Sequence, residues 1–589
     1  MGFSMTSMAR GFAVLTAVTL VAEADRNEDF VQRDWLWLII CAGILAFLAA
    51  YGIGANDVAN AFATSVGAKA LTVKQAVLFA SVFEFAGAVL MGSSVSNTIR
   101  KGIADVDCFE DNPGLLIYGM TIVILAVAVW LIVASFFEMP VSTTHSTVGG
   151  IIGMTLMSRG HKCVIWNYSR KDYGNGTTNY GFDEFPWLDG VAEIAVSWVL
   201  SPVASGVCAA ALYAITKFGI LRQRNSYLLA RLFFPAIVFF TAAVNTTFWI
   251  VKGTKGRPRR FRTSRYVRES KSGNLGPSIA LASIVGGCCA VVAAALVIPM
   301  TKWVDEEFDS EKADDGRVEE DDDDDDAVKK VKAVEVEGKS GDQDEVELTQ
   351  VSKDKDLTEV TSPDHLEGGT LAEQAGAYVV GELNRDPHAV LKSDDFVGNM
   401  HSHAEVFDPK TEAFFRYVQV FTAMVDSFSH GANDVANAMG PFASAYVAWN
   451  RGTVKDKHDL HNNITWILAI GGFGIVVGLA TYGYKIMTAM GVKLAAVTPS
   501  RGYCIELGAA FVIIYGTAQG WPLSTTHCQV GATVAVGLFE GQAGVNKKLL
   551  MKTAFGWVIT LVVVGLTAAL LVGPNPEPLK PLYCPNFEK

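Results

Sequence analysis

The sequence lacks the patterns expected of a zinc protein or a small disulfide-rich domain. Its nine cysteines are scattered through 589 residues, with no CxxC pair and no Cys/His cluster at metal-ligand spacing. Neither a zinc site nor a disulfide scaffold is therefore predicted. Basic residues are also too few for a nucleic-acid partner, since 48 Lys and Arg are set against 60 Asp and Glu. Most of the acid lies in 304–403, which includes an unbroken aspartate run at 321–326.

What the chain does have is apolar sequence at helix length from end to end. Half of its residues are hydrophobic, which predicts an all-α polytopic membrane protein embedded in a lipid bilayer. The runs long or apolar enough to be candidate membrane segments are 35–54, 72–95, 114–137, 144–157, 190–217, 232–251, 278–300, 414–446, 463–489, 503–520, 523–540 and 553–573.

Composition divides the chain into five segments. Residues 1–24 carry a short apolar run that ends in Ala-Glu-Ala, which favours a signal peptide over an uncleaved tail. A first membrane half, 25–303, holds one repeat copy at 35–157 and three further helices. The acidic segment 304–403 is predicted to be a largely disordered cytosolic loop. A second membrane half with the second repeat copy follows at 404–575, and a tail at 576–589.

The repeat is carried by two duplicated motifs. The letters GANDVANA occur unchanged at 54–61 and at 431–438, and Pro-x-Ser-Thr-Thr-His occurs at 140–145 and at 522–527. A carboxylate and amides within an apolar segment are costly unless they bind something or line a cavity. A polar Ser-Thr-Thr sequence between two apolar halves is typical of a re-entrant hairpin or a broken helix.

Counting crossings predicts that the two copies have inverted topology. If the N-terminus is outside and 114–157 returns to its own side, the second copy enters the membrane from the cytosol. The acceptor sequons at Asn167 and Asn175 then lie outside, as in a glycoprotein. The loop 252–276 argues against this count, because the count places it outside whereas its nine Lys or Arg favour a cytosolic position.

The chemistry of the motifs predicts an oxyanion site that requires a cation. Six hydroxyls and the backbone N–H groups at helix ends are good donors to a tetrahedral oxyanion, whereas aspartate is not. Neither motif contains Lys or Arg. A cation held by carboxylate and amide oxygens, or a proton on the oxyanion, must therefore balance the charge. Sodium suits an oxygen-only ligand set.

At these residues the chain resembles the inorganic phosphate transporter (PiT) family, whose eukaryotic members are sodium-dependent phosphate symporters. The resemblance covers both membrane halves and implies no cofactor beyond sodium ions as co-substrate. Together with the motif chemistry, it assigns two groups of site residues. Those expected to bind phosphate are Asp57, Ser142, Thr143, Thr144, Asp434, Ser524, Thr525 and Thr526. Those expected to bind or couple sodium are Asn56, Asp57, Glu84, Asn433, Asp434 and Glu506.

Other residues leave alternatives open. Asn60 and Asn437 are expected either to contact ligand or to cap a helix break. Glu84 and Glu506 are not repeat mates by spacing, and the register of the second helices sets Glu84 opposite Gly474. A coupling role is expected for both glutamates, with local pairing as the alternative. His430 precedes only the second motif, and a structural role is expected for it.

His145 and His527 are expected to pack or bond locally behind the site, with substrate contact as the alternative. A Ser142, His145 and Asp57 triad is not expected, so the chain is not predicted to be an enzyme.

The sequence therefore predicts a sodium-coupled phosphate symporter of the plasma membrane that works by alternating access. A proton-coupled carrier on the same scaffold is the nearest alternative, and a channel or a transport-dead receptor is an alternative of another class. A homodimer is left open.

Overall fold

The computed structural model describes residues 32–92, 99, 103–166, 170–172, 178–180, 190–253, 276–320, 371–452, 454, 465–519 and 523–573. Several predictions fall outside these residues: the signal peptide, both sequons, most of the basic loop, the centre of the acidic loop at 321–370 and the C-terminal tail.

The all-α prediction is confirmed, because the described chain is helical apart from one hairpin of two three-residue strands. Eight described helices are long and apolar enough to span a membrane. The first half contains α1 (Gln32–Ile53), a π-helical turn (Gly54–Val58), α2 (Ala59–Gly67), α3 (Val73–Met91), α4 (Pro113–Phe136), α5 (Thr143–Arg159), β1 (Arg170–Asp172), β2 (Thr178–Tyr180), α6 (Gly190–Thr216), α7 (Ser226–Gly253) and α8 (Gly276–Glu320).

Every apolar run predicted from the sequence overlaps a helix. Two long helices of the second half, α12 and α15, are not among the eight apolar ones, and both carry buried polar residues. The elements of this half are α9 (Leu371–Leu383), α10 (Val390–Ser393), α11 (Asp395–Ser402), α12 (Pro409–Arg451), α13 (Thr465–Tyr482), α14 (Tyr484–Thr488), a π-helical turn (Ala489–Lys493), α15 (Pro499–Gln519), α16 (Thr525–Gly537) and α17 (Lys547–Val572).

Each Ser-Thr-Thr sequence lies at the tip of a helical hairpin, as one of the two sequence alternatives predicted. Hairpin 1 consists of α4 and α5, and hairpin 2 consists of α15 and α16. At the open end of hairpin 1, Arg159 Nη2 lies 2.6 Å from Asp111 Oδ1. At the open end of hairpin 2, Arg501 Nη2 lies 2.8 Å from Glu540 Oε1. These pairs join the start of the long helix to the end of the short one, so the two helices of each hairpin are antiparallel.

The open end of hairpin 1 is also closed by a disulfide between Cys108 and Cys163. The sequence analysis, which predicted no disulfide scaffold, did not anticipate this bond. The two residues are 55 positions apart in sequence, a spacing that carries no disulfide signature. The antiparallel hairpin brings them together.

The two halves of the chain are interleaved. A Cβ atom at Gly54 would overlap the backbone carbonyl of Ile475, so the first GANDVANA segment packs against α13 of the second half. A Cβ atom at Gly431 would overlap the carbonyl of Glu84, so the second segment packs against α3 of the first half. Small residues at such crossings let membrane helices approach closely. This matched packing sets Glu84 opposite Ile475, one residue from the predicted Gly474.

The described ends of the acidic segment are helical, and the expectation that the segment is largely disordered stays a prediction for its centre. Its start continues α8 as far as Glu320, and its end forms α9, α10 and α11. His401 Nε2 lies 2.8 Å from the carbonyl oxygen of Val492. Val397, Met400 and Val492 form a small buried apolar cluster. These contacts stabilise the end of the segment against the membrane part, which charge composition alone could not reveal.

Candidate functional site

The two hairpin tips meet through their serines. Ser142 and Ser524 each cap the helix that follows, because their hydroxyl oxygens accept from the backbone N–H of His145 and of His527, at 3.4 Å in both cases. The Ser524 hydroxyl also donates to the Ser142 hydroxyl at 2.9 Å. Two helix N-termini, those of α5 and α16, therefore lie side by side, and such ends favour anions.

Asp57 connects both hairpins. Thr143 of hairpin 1 donates to Asp57 Oδ2 at 2.7 Å, and Thr526 of hairpin 2 donates to Asp57 Oδ1. The aspartate is 1 % exposed and lies in the π-helical turn that follows α1. Such turns occur mostly as short insertions in α-helices and often at functional sites.

The second copy of the same eight letters has a different conformation. Residues 431–438 lie inside the continuous α-helix α12. Asp434 accepts from Asn433 Nδ2 at 2.8 Å and from Thr525 at 3.1 Å. Asn437 Nδ2 lies 3.2 Å from the same carboxylate. The two aspartates, identical in local sequence, therefore have different partners.

Asn437 joins the second copy to hairpin 1. Its side-chain nitrogen lies 2.9 Å from Thr143 Oγ1 and 3.3 Å from Thr144 Oγ1. Its backbone carbonyl oxygen accepts from the hydroxyl of Thr147. It therefore caps no helix break, and α12 has no break at this point. The side chain of Asn60, its counterpart in the first copy, is not among the side chains that the structure describes.

Asn56 is hydrogen-bonded to the tip of hairpin 1, and its expected contact with sodium stays a prediction. Its side-chain nitrogen donates to Ser135 Oγ at 3.1 Å and to the carbonyl of Met139 at 2.9 Å. Its side-chain oxygen accepts from the backbone N–H of Val141 at 2.9 Å. Both ends of the amide are thereby committed to the tip of hairpin 1, one residue before Ser142.

His430 lies in the site, contrary to the structural role expected for it. Its Nε2 is 2.7 Å from Asp434 Oδ2, and its Nδ1 is 3.3 Å from Glu84 Oε2. Asp57, His430 and Asp434 each offer a ligand atom within 4.8 Å of the others. The i, i+4 spacing of His430 and Asp434 on one helix was the signal available in the sequence.

Glu506 occupies a separate environment built from hydroxyl groups. Thr64 and Thr422 donate to its two carboxylate oxygens at 2.5 and 2.6 Å, and Ser65 donates at 3.1 Å. Glu84 instead pairs with an imidazole. The two glutamates lie on α15 and α3, which are not corresponding elements of the repeat, in agreement with the asymmetry read from their spacing.

The two motif histidines pack on one another behind the hairpin tips. The ring centroids of His145 and His527 are 4.6 Å apart, and the rings are nearly perpendicular. His145 also lies against Trp198 of α6, and His527 lies against Trp557 of α17. The histidines therefore join the short helices of both hairpins to their neighbours, α6 and α17.

Comparison with known proteins identifies the family of the chain. A family model described as "Phosphate transporter family" matches residues 53–568. The chain belongs to the phosphate transporter family. It is 31% identical to the "Phosphate-repressible phosphate permease pho-4" of Neurospora crassa, over 92% of this chain and 98% of that protein. As a member of a transporter family that carries apolar spanning helices, it is a multi-pass membrane protein and not a member of an enzyme class.

More distant relatives are sodium-dependent by name. The chain is 25% identical to the "Sodium-dependent phosphate transporter 1" of Rattus norvegicus, over 96% of this chain and 98% of that one. It is 25% identical to the "Sodium-dependent phosphate transporter" of Plasmodium falciparum, with 87% of each covered. A solved structure titled "The sodium-dependent phosphate transporter" superposes with a TM-score of 0.61 at 26% identity, covering 91% of this chain and 98% of that one.

Proposed function

We propose that this phosphate transporter family member is a sodium-coupled symporter that imports inorganic phosphate by alternating access. The observation that carries the proposal is the position of Asp57, whose carboxylate oxygens accept from one threonine of each hairpin. Hydroxyl groups and two helix N-termini can bind phosphate oxygens, but two buried aspartates beside them repel an anion. No Lys or Arg lies in the motifs, so a mobile cation must neutralise the site.

Sodium is the cation that the ligands favour. Carboxylate, amide and hydroxyl oxygens suit hard cations and disfavour those that prefer thiolate. We propose that sodium is held between Asp57 and Asp434 and that phosphate is held by the six hydroxyls of the two hairpin tips. Glu84 and Glu506 then contribute to coupling from opposite sides of the site, each within its own hydrogen-bonded environment.

The proposed orientation has the N-terminus and the open end of hairpin 1 outside, and the acidic segment in the cytosol of a plasma-membrane protein. The disulfide of hairpin 1 supports it, because disulfides persist in oxidising compartments. The crossing count places the open end of hairpin 2 on the opposite side, and there Arg501 and Glu540 are joined by an ion pair. Inverted repeats would produce this opposition.

One observation favours the proton-coupled alternative. His430, an imidazole that can carry a proton, touches both Asp434 and Glu84. A proton exchanged there could replace one sodium ion. Sodium coupling remains the proposal, because the oxygen ligands outnumber this one imidazole.

The test is uptake of radioactive phosphate by the full chain in proteoliposomes at constant pH, with external sodium replaced by choline. We expect uptake to fall to background without sodium, and to do so in Asp57→Asn and Asp434→Asn at any sodium concentration. Uptake that ignores sodium and follows an imposed pH gradient would establish the proton-coupled carrier instead.

A deletion of 321–370 and a measurement of concentrative phosphate uptake distinguish the proposed symporter from a transport-dead receptor and from a channel. This deletion spares α8 and α9, which flank it. A symporter should retain phosphate accumulation against a gradient. A channel would only equilibrate phosphate, and a receptor would transport none.

A further inference from the structure

A small cavity adjoins the site on the side of α12. It lies among α2, α12, α15 and α16 and has a volume of about 20 Å³. A cavity needs about 10–15 Å³ to hold one water molecule, so this one accepts a water or a single desolvated ion and is too small for phosphate. Five oxygen-bearing side chains line it, together with His430 of the site and the apolar Ala61 and Ile513: Asp426, Ser429, Asn433, Thr525 and Gln529.

Helical spacing accounts for this lining. Asp426, Ser429 and Asn433 are at positions i, i+3 and i+7 of α12 and so share one face of that helix. Thr525 and Gln529 are one turn apart on α16. Thr525 and Asn433 both hydrogen-bond to Asp434, so the cavity is continuous with the aspartate of the second copy.

Two polar groups in the lining indicate an occupant. Asp426 is a half-buried carboxylate on a long helix of the membrane part, and no described Lys or Arg forms an ion pair with it. Gln529 is 5 % exposed, and its side-chain nitrogen has no hydrogen-bond partner among the described residues. Charged groups inside the membrane normally pair or mark an ion pathway. The Gln529 side-chain nitrogen is a donor and cannot bind a cation directly, so it indicates a water molecule or another acceptor beside an ion held by Asp426.

The first copy has no equivalent cavity lining. The two GANDVANA motifs are 377 positions apart, since 431 − 54 = 377, so Asp426 corresponds to Ala49 and Ser429 corresponds to Gly52. Ala49 is fully buried in the apolar core. The carboxylate and the hydroxyl are thus features of the second copy alone.

We propose that this cavity is a binding site for one sodium ion, with Asp426 as its charged ligand and Ser429 as a neutral oxygen ligand. The proposal rests on the sodium coupling proposed above and adds a cation site that the duplicated motifs do not contain. An ion there lies next to Asp434 and supplies positive charge to one side of the phosphate site only. Coupling is then asymmetric even though the motifs are identical.

The test is equilibrium binding of ²²Na⁺ to the purified full chain at fixed pH and fixed ionic strength, balanced with choline. We expect Asp426→Asn to remove one bound sodium per chain or to raise its dissociation constant at least tenfold. Ser429→Ala, which removes one oxygen, should weaken binding severalfold. The matched control is Glu412→Gln on the same helix, because that carboxylate accepts from Ser500 outside the cavity and should bind sodium as the unmodified chain does.

The outcomes separate the two proposals. If the unmodified chain binds sodium and takes up phosphate with it, but Asp426→Asn and Ser429→Ala bind sodium as tightly, the cavity site is overturned and the symporter stands. If the unmodified chain binds no sodium, both proposals fail. Size-exclusion profiles verify folding, and Ser429→Ala keeps the test decisive if Asp426→Asn does not fold.

Discussion

The second threonine of each Ser-Thr-Thr sequence, Thr144 in hairpin 1 and Thr526 in hairpin 2, should differ sharply in its importance for transport. Thr144 and Thr526 are both the second residue of a short hairpin helix, and they correspond in the repeat. Thr526 donates to the buried carboxylate of Asp57. Thr144 instead has Asn437 Nδ2 at 3.3 Å, a long contact between neutral groups. Valine at either position keeps the branched shape and removes only the hydroxyl.

The expected magnitudes follow from these partners. A hydrogen bond to a charged group contributes about 1.5–3 kcal/mol and a neutral one about 0.5–1.5 kcal/mol. A free-energy difference of about 1.4 kcal/mol corresponds to a factor of ten. Thr526→Val should therefore weaken the apparent affinity for sodium roughly 10- to 150-fold. Thr144→Val should weaken it by no more than about tenfold, and less if the 3.3 Å contact is weak.

Initial uptake rates in proteoliposomes would measure this difference, first against phosphate at saturating sodium and then against sodium at saturating phosphate. The two variants control for one another, because each alters the same helix position in a different copy. If Thr144→Val were as damaging as Thr526→Val, or more so, the asymmetric environment of Asp57 would not control binding.

Three further outcomes are expected. Replacing Cys108 and Cys163 by serine should lower the thermal midpoint, with a chain-entropy ceiling of about 4 kcal/mol for this loop; an unchanged midpoint would mean that the bond is absent from the mature protein. Burial lowers the pKa of His401, so its contribution to docking is present above its ordinary pKa near 6.5 and is lost as the pH falls below it. The protection factors of the amides in 395–402, which correct for the slower intrinsic exchange at lower pH, should therefore fall on acidification in the unmodified chain and in His403→Ala, and His401→Gln should remove that response. Glu506→Gln should change the number of sodium ions coupled to each phosphate, measured by reversal potential, and unaltered coupling would assign Glu506 a structural role.

Much of the site could be predicted from the amino-acid sequence, because several of its interactions join residues that are close together in sequence. Serine before Thr-Thr-His predicts a helix N-cap, and both Ser142 and Ser524 occupy that position. The duplication alone predicted that the two aspartates share one site. The pair of His430 and Asp434 had a local signal in its i, i+4 spacing. The contact of His430 with Glu84 had none, because these two residues are 346 positions apart in sequence.

Tertiary contacts determined the rest. The same eight letters form a π-helical turn at Gly54–Val58 and ordinary α-helix in α12, so local propensity cannot account for the difference. Asn56 was expected to bind an ion because carboxylate and amide stand side by side in the motif. Its amide satisfies backbone groups at the tip of hairpin 1, a need that appears only once the hairpin packs against α1.

The interleaving of the two halves also bears on how the protein is made. Gly54 and Gly431 each pack against a helix of the opposite half. The chain therefore releases α1 and α3 from the ribosome more than 300 residues before α12 and α13, which both of them contact, exist. Contacts this far apart in sequence form slowly. Until synthesis is complete, polar residues of the first half face lipid or other helices without their final neighbours. Until the second half has been made, the first half therefore lacks the helices against which its duplicated motif packs.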